Sequence, residues 1–337
     1  RSIGPRVVVT GAFGGRGMKV NRILTREEIQ ELTQASDPQG WLSVVTTWGL
    51  IALSLAVAIR WPNPATVLLA LIVLGGRQLA LAVLMHECAH RSLFRSRSLN
   101  EWVGYWLCGT PVWLDMARYR VHHLGHHAHA GSERDPDLSL ARGFPVSRTS
   151  FLRKVARDIL GISGLRRVFG LLAMDAGYLT YSASDSAQRD TTPRAWSERV
   201  RLVLRRTGPV IAFQAALFGV LAAFNAAWAY GLWVAAYLTT FSLFLRLRAI
   251  AEHACTAEDP DPIRHTRTVF ANVLARMTVA PHHVNYHTEH HLLPTAPHYR
   301  LAELHQLLHQ RGAFADGNLA ASYGQVWSRV TLEHRPV

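Results

Sequence analysis

The chain has 337 residues, 49% of them hydrophobic, and a formal net charge of +13. In a soluble protein this charge would suggest nucleic-acid binding, but no helix-turn-helix or aromatic-interleaved basic pattern accompanies it, so we expect no nucleic-acid partner. The three cysteines show no CxxC spacing, which argues against a disulfide framework and indicates a reduced, cytoplasmic setting. We expect Cys88 and Cys255, which lie beside histidine-rich sequence, to be packing residues.

The N-terminal segment contains the glycine-rich sequence GAFGGRG but neither a long apolar run nor a cleavage-site pattern. We predict no secretory signal and no nucleotide site there, and we expect residues 1–17 to be disordered or to lie upstream of the native start. Thr25 and Glu28 match a capping box, which predicts an amphipathic helix through Leu32. Residues 1–40 are therefore assigned to a tail and an amphipathic helix.

Four long apolar stretches follow, at residues 41–59, 66–85, 207–228 and 232–247. Each approaches the roughly 20 residues that span a bilayer core. Short turns at residues 61–64 and 229–231 join them in pairs, which predicts two transmembrane hairpins at about 41–85 and 207–247. Glycines and a proline interrupt the shorter stretch 102–114, so we predict a re-entrant or interfacial helix there rather than a fifth span.

The segments outside the hairpins, residues 86–206 and 248–337, hold nearly all the arginines of the membrane region. By the positive-inside rule this side faces the cytoplasm. We therefore predict an all-α integral membrane protein of a bacterial inner membrane. In it, residues 41–337 form a single membrane domain with a cytoplasmic helical cap.

Three histidine clusters lie on the cap side of the predicted spans. They read HECAH, HHLGHHAH and HTEHH. Histidines three or four residues apart share one face of an α-helix, and imidazole is the commonest metal ligand. The spacing selects eight histidines, twice the four ligands of a tetrahedral zinc site, which favours two metal ions. Imidazole suits iron as well as zinc. The eight candidates are His86, His90, His123, His126, His127, His287, His290 and His291.

These segments resemble the membrane fatty acid desaturase family over roughly residues 24–305. The resemblance includes LMHECAHRSLF around His86, YRVHHLGHHAHAGSERDPD from Tyr119 and NYHTEHHLLPTAPHYRLAELH from Asn285. It implies a helical membrane desaturase domain whose cap holds a di-iron centre and uses O2 and two electrons to remove two hydrogens from an acyl chain. It also implies that the eight histidines ligate iron and that His253, at the end of the family-like segment RAIAEH, is a ninth ligand.

Such a reaction needs a narrow apolar tunnel for the acyl chain, because two adjacent C–H bonds must be presented in turn. Candidates for the tunnel mouth are four aromatic residues, with interfacial packing as the alternative role. They are Trp106, Trp113, Tyr119 and Tyr286.

Four acidic residues near the clusters are candidates to hold ligand N–H groups in place, although any of them could instead be a surface charge. They are Glu87, Asp135, Glu252 and Glu289. Five further histidines fall outside the ligand pattern, and we expect them in surrounding hydrogen bonds or in solvent. They are His122, His129, His282, His283 and His298.

The electrons must come from another protein. We find no dinucleotide-binding, iron–sulfur or haem-binding motif in the chain. We therefore expect a ferredoxin or a small b-type haem protein, with its reductase, as partner. Such partners are commonly acidic, and Arg153, Lys154 and Arg157 are candidates to dock one. The substrate would be a lipid or an acyl thioester.

Three other functions remain open at this point. A hydroxylase of fatty acyl chains, sphingolipids or carotenoids could use the same di-iron scaffold. A metal transporter would place its ligands at the bilayer midplane, whereas these clusters lie beyond the spans. A zinc hydrolase would use the literal HExxH match with Glu87 as general base, but would leave two clusters unexplained.

Overall fold

The computed structural model describes residues 20–184, 186–315 and 317–332, and the predicted tail at residues 1–17 lies outside them. The described chain is mostly helical. Its α-helices are α1 Arg26–Leu32, α2 Asp37–Arg60, α3 Pro64–His90, α4 Arg97–Trp102, α5 Met116–His129, α6 Leu138–Ala141, α7 Arg148–Ile159, α8 Ile162–Asp175, α9 Trp196–Ala223, α10 Tyr230–Leu238, α11 Thr240–His253, α12 Pro262–His265, α13 Val273–Met277, α14 His287–Leu292, α15 Leu301–Gln310 and α16 Tyr323–Val330.

Short elements connect these helices. A π-helix covers Val103–Gly109, and 3-10 turns cover Val20–Arg22, Thr110–Val112, Ala227–Ala229, Pro281–His283 and His298–Arg300. The strands are β1 Val146–Ser147, β2 Thr268–Val269, β3 Leu319–Ala320 and β4 Thr331–Leu332. β1 pairs in parallel with β4, and β2 with β3, so each pair ties the C-terminal region to an earlier part of the chain. The prediction of a purely α-helical chain omitted these strands.

The capping box at the start of α1 is confirmed. Thr25 N donates to Glu28 Oε2 at 2.8 Å, and Glu28 N donates to Thr25 Oγ1 at 3.2 Å. Leu32 at the end of α1 is buried in a cluster with Leu304 and Leu308 of α15. The amphipathic helix predicted from this motif therefore packs against a helix close to the other end of the chain.

Four helical stretches are long and apolar enough to cross a membrane, by length and composition: Arg26–Arg60, Pro64–His90, Trp196–Ala223 and Ala227–His253. Their number agrees with the prediction, but their bounds are wider. The second stretch continues to His90, because the apolar residues and the first histidine cluster share one uninterrupted helix, α3. The fourth is divided at Thr239, whose φ of −109° and ψ of −86° separate α10 from α11.

Two polar residues inside α3 connect it to other elements. Arg77 donates to the carbonyl oxygens of Arg276 and Met277, each at 2.9 Å, at the C-terminal end of α13. Gln78 Nε2 donates to Trp233 O at 2.9 Å in α10. In the sequence these two residues only interrupt an apolar run, whereas in the fold they satisfy carbonyl groups of neighbouring helices.

The stretch 102–114 is not among the four candidate spans, in agreement with the prediction. It continues from α4 into the π-helix, where a Cβ at Gly104 would lie 2.5 Å from Cys88 Cβ. Cys88 is buried, as expected of a packing residue, but Cys255 is exposed. The packing expectation was wrong for Cys255, because this residue follows the end of α11 in a left-handed conformation at the surface.

Candidate metal centre

Four helices deliver the predicted ligands. The last two turns of α3 carry His86 and His90, and α11 ends at His253. The remaining six histidines lie on α5 and on α14, three on each. Asp115 begins α5 by accepting from Ala117 N and Arg118 N, so this helix starts two turns before its first ligand candidate.

The structure gathers all nine histidines into two groups, each with ligand nitrogens within 4.8 Å of one another. Within the described residues these are the two groups of histidine, cysteine or acidic side chains that could hold a metal ion. The groups are adjacent, because α5 and α14 contribute to both, and the rings of His127 and His291 lie 4.3 Å apart between centroids. The first group contains His86, His90, His123, His127 and His290, and the second contains His126, His253, His287 and His291.

The nitrogen–nitrogen distances fit ligands that share an ion. His127 Nε2 lies 3.0 Å from both His123 Nε2 and His290 Nε2, and His290 Nε2 lies 3.1 Å from His86 Nε2. With metal–nitrogen bonds of about 2.0–2.1 Å, ligands at adjacent positions lie about 3 Å apart. A neutral imidazole nitrogen carries either a proton or a lone pair, so hydrogen bonds within the group cannot satisfy all of these atoms.

The nitrogens of the second group are also close enough together to share one ion. His253 Nε2 lies 2.7 Å from His287 Nε2, and His126 Nε2 lies 3.2 Å from His291 Nε2. In the first group His90 Nε2 is buried and has no hydrogen-bond partner within the described ranges. Buried polar atoms are normally satisfied, so the nitrogens present in both groups fit bound metal ions.

Burial keeps most of these imidazoles neutral, which is the ligating form. Burial lowers the pKa of five of them well below its ordinary value: His123, His127, His287, His290 and His291. His126 differs. Burial lowers its pKa too, but the hydrogen bond that its Nδ1 donates to Asp135 and the charge of Asp137 outweigh this effect and raise the pKa.

Three of the four predicted acids contact ligand candidates. Asp135 Oδ1 lies 2.8 Å from His126 Nδ1, Glu87 Oε1 lies 3.3 Å from His86 Nδ1, and Glu252 Oε1 lies 3.6 Å from His287 Nδ1. Arg248 Nε donates to Glu252 Oε1 at 2.6 Å and fixes that carboxylate. The Asp135 contact is a hydrogen bond and orients the His126 ring from its outer nitrogen, whereas the Nδ1 atoms of His86 and His287 have no hydrogen-bond partner among the described residues.

The prediction for Glu289 is wrong. Its carboxylate accepts from Thr268 Oγ1 at 2.5 Å and contacts His305 Nδ1 at 2.5 Å instead of a ligand candidate. The reason is helical geometry: Glu289 lies on a different face of α14 from His287, His290 and His291.

Of the four aromatic candidates for the tunnel mouth, one contacts a histidine of the two groups. The Tyr119 ring stacks on His123 at 5.2 Å between centroids and 15° between planes. Trp113 Nε1 instead donates to Asp175, while Trp106 is exposed and Tyr286 packs against His283 and His305.

The other predicted histidines lie outside the two groups. His122 Nε2 contacts Asp137 at 2.7 Å, next to the second group of histidines, and His129 is exposed. The remaining three lie together against α2, where His282 bonds with Thr47 at 2.8 Å, His298 with Ser43 at 2.9 Å, and His283 donates to His298 O.

Sequence reasoning missed His265. It is a single histidine with no spacing pattern, yet its ring lies 5.6 Å from that of His291 between centroids. A sequence without an alignment carries no signal that would have selected it.

Comparisons with known proteins cover this whole site. A sequence model of the family described as fatty acid desaturase matches residues 62–323. Dihydrorhizobitoxine desaturase of Bradyrhizobium elkanii is 27% identical over 267 residues, which cover 76% of this chain and 71% of that protein. The sn-1 acyl-lipid omega-3 desaturase (ferredoxin) of Synechocystis sp. is 26% identical over 237 residues, 66% of this chain and 61% of that protein.

Proposed function

Because the chain belongs to the fatty acid desaturase family, we propose that it is a membrane di-iron enzyme that uses O2 to insert a C=C bond into an acyl chain. The family implies an oxidoreductase. The observation that carries the more specific proposal is the convergence of nine histidines from four helices into two adjacent groups. The acyl chain would belong to a lipid or an acyl thioester.

We assign one iron to each group, with five imidazoles for the first and four for the second. Bound iron supplies the oxidising power from O2 that an unactivated C–H bond requires. The side chains supply position and enclosure. Asp135 holds the outer nitrogen of His126, Glu87 and Glu252 lie beside those of His86 and His287, and the half-buried Tyr119 ring stacks on His123.

The proposed membrane topology has two hairpins, α2 with α3 and α9 with α10–α11. The turns between the members of each pair are short, and α2 packs along α3. The two histidine groups then lie in a cap made from residues 86–206 and 248–337 of a single domain, residues 41–337. Its arginines support a cytoplasmic orientation of this cap in a bacterial inner membrane.

An external protein would deliver the electrons. The name of the Synechocystis relative includes ferredoxin, which supports a ferredoxin, with its reductase, as the partner of this chain. An acidic carrier would be attracted electrostatically to the arginine-rich cap.

A zinc hydrolase does not fit the geometry. Its general base would be Glu87, but Glu87 Oε2 already accepts from His298 N at 2.8 Å and from Ser92 Oγ at 3.1 Å, and Oε1 lies beside His86. A catalytic zinc also needs only three protein ligands, whereas nine imidazoles converge here.

The decisive experiment compares wild type with His290→Ala in cells that contain ferredoxin and its reductase and are fed a deuterated saturated fatty acid. Lipid mass spectrometry should detect a product that has lost two hydrogen or deuterium atoms from adjacent carbons, and this product should be absent from His290→Ala. The exposed His309 provides a control, since His309→Ala should retain the product. A product one oxygen heavier would instead assign the chain as a hydroxylase, and full activity in His290→Ala would refute the metal centre.

A further inference from the structure

His265 is a buried histidine beside the second group. It is the last residue of α12, and its exposed fraction is 4%. Its backbone oxygen lies 3.3 Å from His253 Nδ1, and its ring meets that of His291 at an angle of 82°. His265 therefore contacts two members of the group of four histidines, His253 through its backbone and His291 through its ring.

The hydrogen bond at Nδ1 of the His265 ring determines the protonation of the other ring nitrogen, Nε2. His265 Nδ1 lies 2.8 Å from Asp259 O, and a carbonyl oxygen can only accept, so Nδ1 is the donor. In the neutral ring the lone pair is then on Nε2. That atom is buried and has no hydrogen-bond partner among the described residues. An unsatisfied buried acceptor has a free-energy cost and points to a ligand.

We propose that His265 Nε2 is the fifth nitrogen that serves the second metal position, acting through one water molecule. It lies outside the four nitrogens that are mutually within 4.8 Å, and a polar contact beyond direct reach is commonly bridged by water. His265 is thus a positioning residue: it orients the water that completes the set of four imidazoles in the second group. This inference rests on the proposed di-iron function.

Two substitutions separate this role from a structural one. In His265→Asn the amide nitrogen can take the place of Nδ1 and keep the bond to Asp259 O, while Nε2 is lost. In His265→Gln the end of the side chain takes the place of Nε2, while the Nδ1 donor is lost. A purely structural role predicts that His265→Gln is the more damaged protein, whereas the proposed role predicts that His265→Asn is.

The test is anaerobic titration of the purified apoproteins with Fe²⁺ and, separately, with Co²⁺, whose visible spectrum reports coordination. Wild type and His309→Asn should bind two ions. In His265→Asn one ion should bind about 10–100-fold more weakly, as for other residues that support metal ligands, and the Co²⁺ spectrum of that site should change. His265→Gln should remain close to wild type.

Equal affinities in wild type and His265→Asn would overturn the proposal, and so would a larger loss in His265→Gln than in His265→Asn. Melting temperature and size-exclusion profile establish that each variant is folded. If His265→Asn does not fold, a wild-type-like His265→Gln supports the proposal and a weakened one overturns it. A wild type that binds fewer than two ions would refute the di-iron function itself, independently of His265.

Discussion

At the scale of single residues, a carboxylate on the outer nitrogen of a ligating histidine fixes the orientation of the ring. Among the acids around the histidines, Asp135 is the best placed, because its carboxylate lies 2.8 Å from His126 Nδ1 and raises the pKa of that ring. A carboxylate on the outer nitrogen fixes the ring orientation and leaves Nε2 to point at His291 Nε2. Asp135 therefore connects the loop after α5 to the second group.

Asp135→Asn removes the negative charge but keeps the shape of the side chain. We expect metal binding at the second group to weaken about 10–100-fold, because the amide polarises the imidazole less than the carboxylate does. Titration of the apoprotein with Fe²⁺ measures the change. Glu133→Gln is the control, since Glu133 is exposed and pairs only with Arg142 among the described residues. Equal weakening in both variants would mean that general charge loss is responsible.

At the scale of elements, α3 makes a very close contact with the backbone of α13. Gly76 lies directly against the end of α13, and a Cβ at this position would be 2.0 Å from Met277 O. Arg77 donates to that same carbonyl oxygen. The close approach positions α3, which carries His86 and His90, relative to the segment that leads to α14.

Gly76→Ala should destabilise the protein, because the added methyl group would collide with backbone rather than with a flexible side chain. We expect the melting temperature in detergent to fall, by the equivalent of about 1–3 kcal/mol. Gly49→Ala in α2 is the matched control, because a Cβ there has no neighbour within 4 Å and alanine favours a helix by about 1 kcal/mol. Unchanged stability in Gly76→Ala would show that α13 adjusts freely.

At the scale of the whole molecule, the proposed cap draws its parts from distant regions of the chain. α1 packs on α15, and the parallel pairs β1–β4 and β2–β3 join residues more than 50 positions apart. Contacts between distant parts of the described chain therefore join these segments to one another. Cys255 follows α11 on this side of the protein and is the exposed cysteine among the three.

Labelling of Cys255 tests the proposed orientation. If Cys255 faces the cytoplasm, a membrane-impermeant maleimide should leave intact spheroplasts unlabelled and modify the protein only after lysis. The signal should report Cys255, because Cys88 and Cys108 are buried. Cys255→Ser should abolish the signal. In that background Pro62→Cys, in the exposed turn between α2 and α3, should react in intact spheroplasts. Labelling of Cys255 from outside would reverse the proposed topology.

The four candidate spans, the capping box at α1 and the three histidine clusters could be predicted from the sequence, because hydropathy, capping and helical periodicity are local properties of the chain, whereas His253 was selected by the resemblance alone. The division of the histidines into groups of five and four depends on which helices meet, so it is visible only in the fold. Tertiary packing also gave Arg77 its carbonyl partners and brought His265 beside His291. These contacts join residues far apart in sequence, where no local spacing reveals them, whereas the position of Glu289 on another face of α14 follows from helical periodicity.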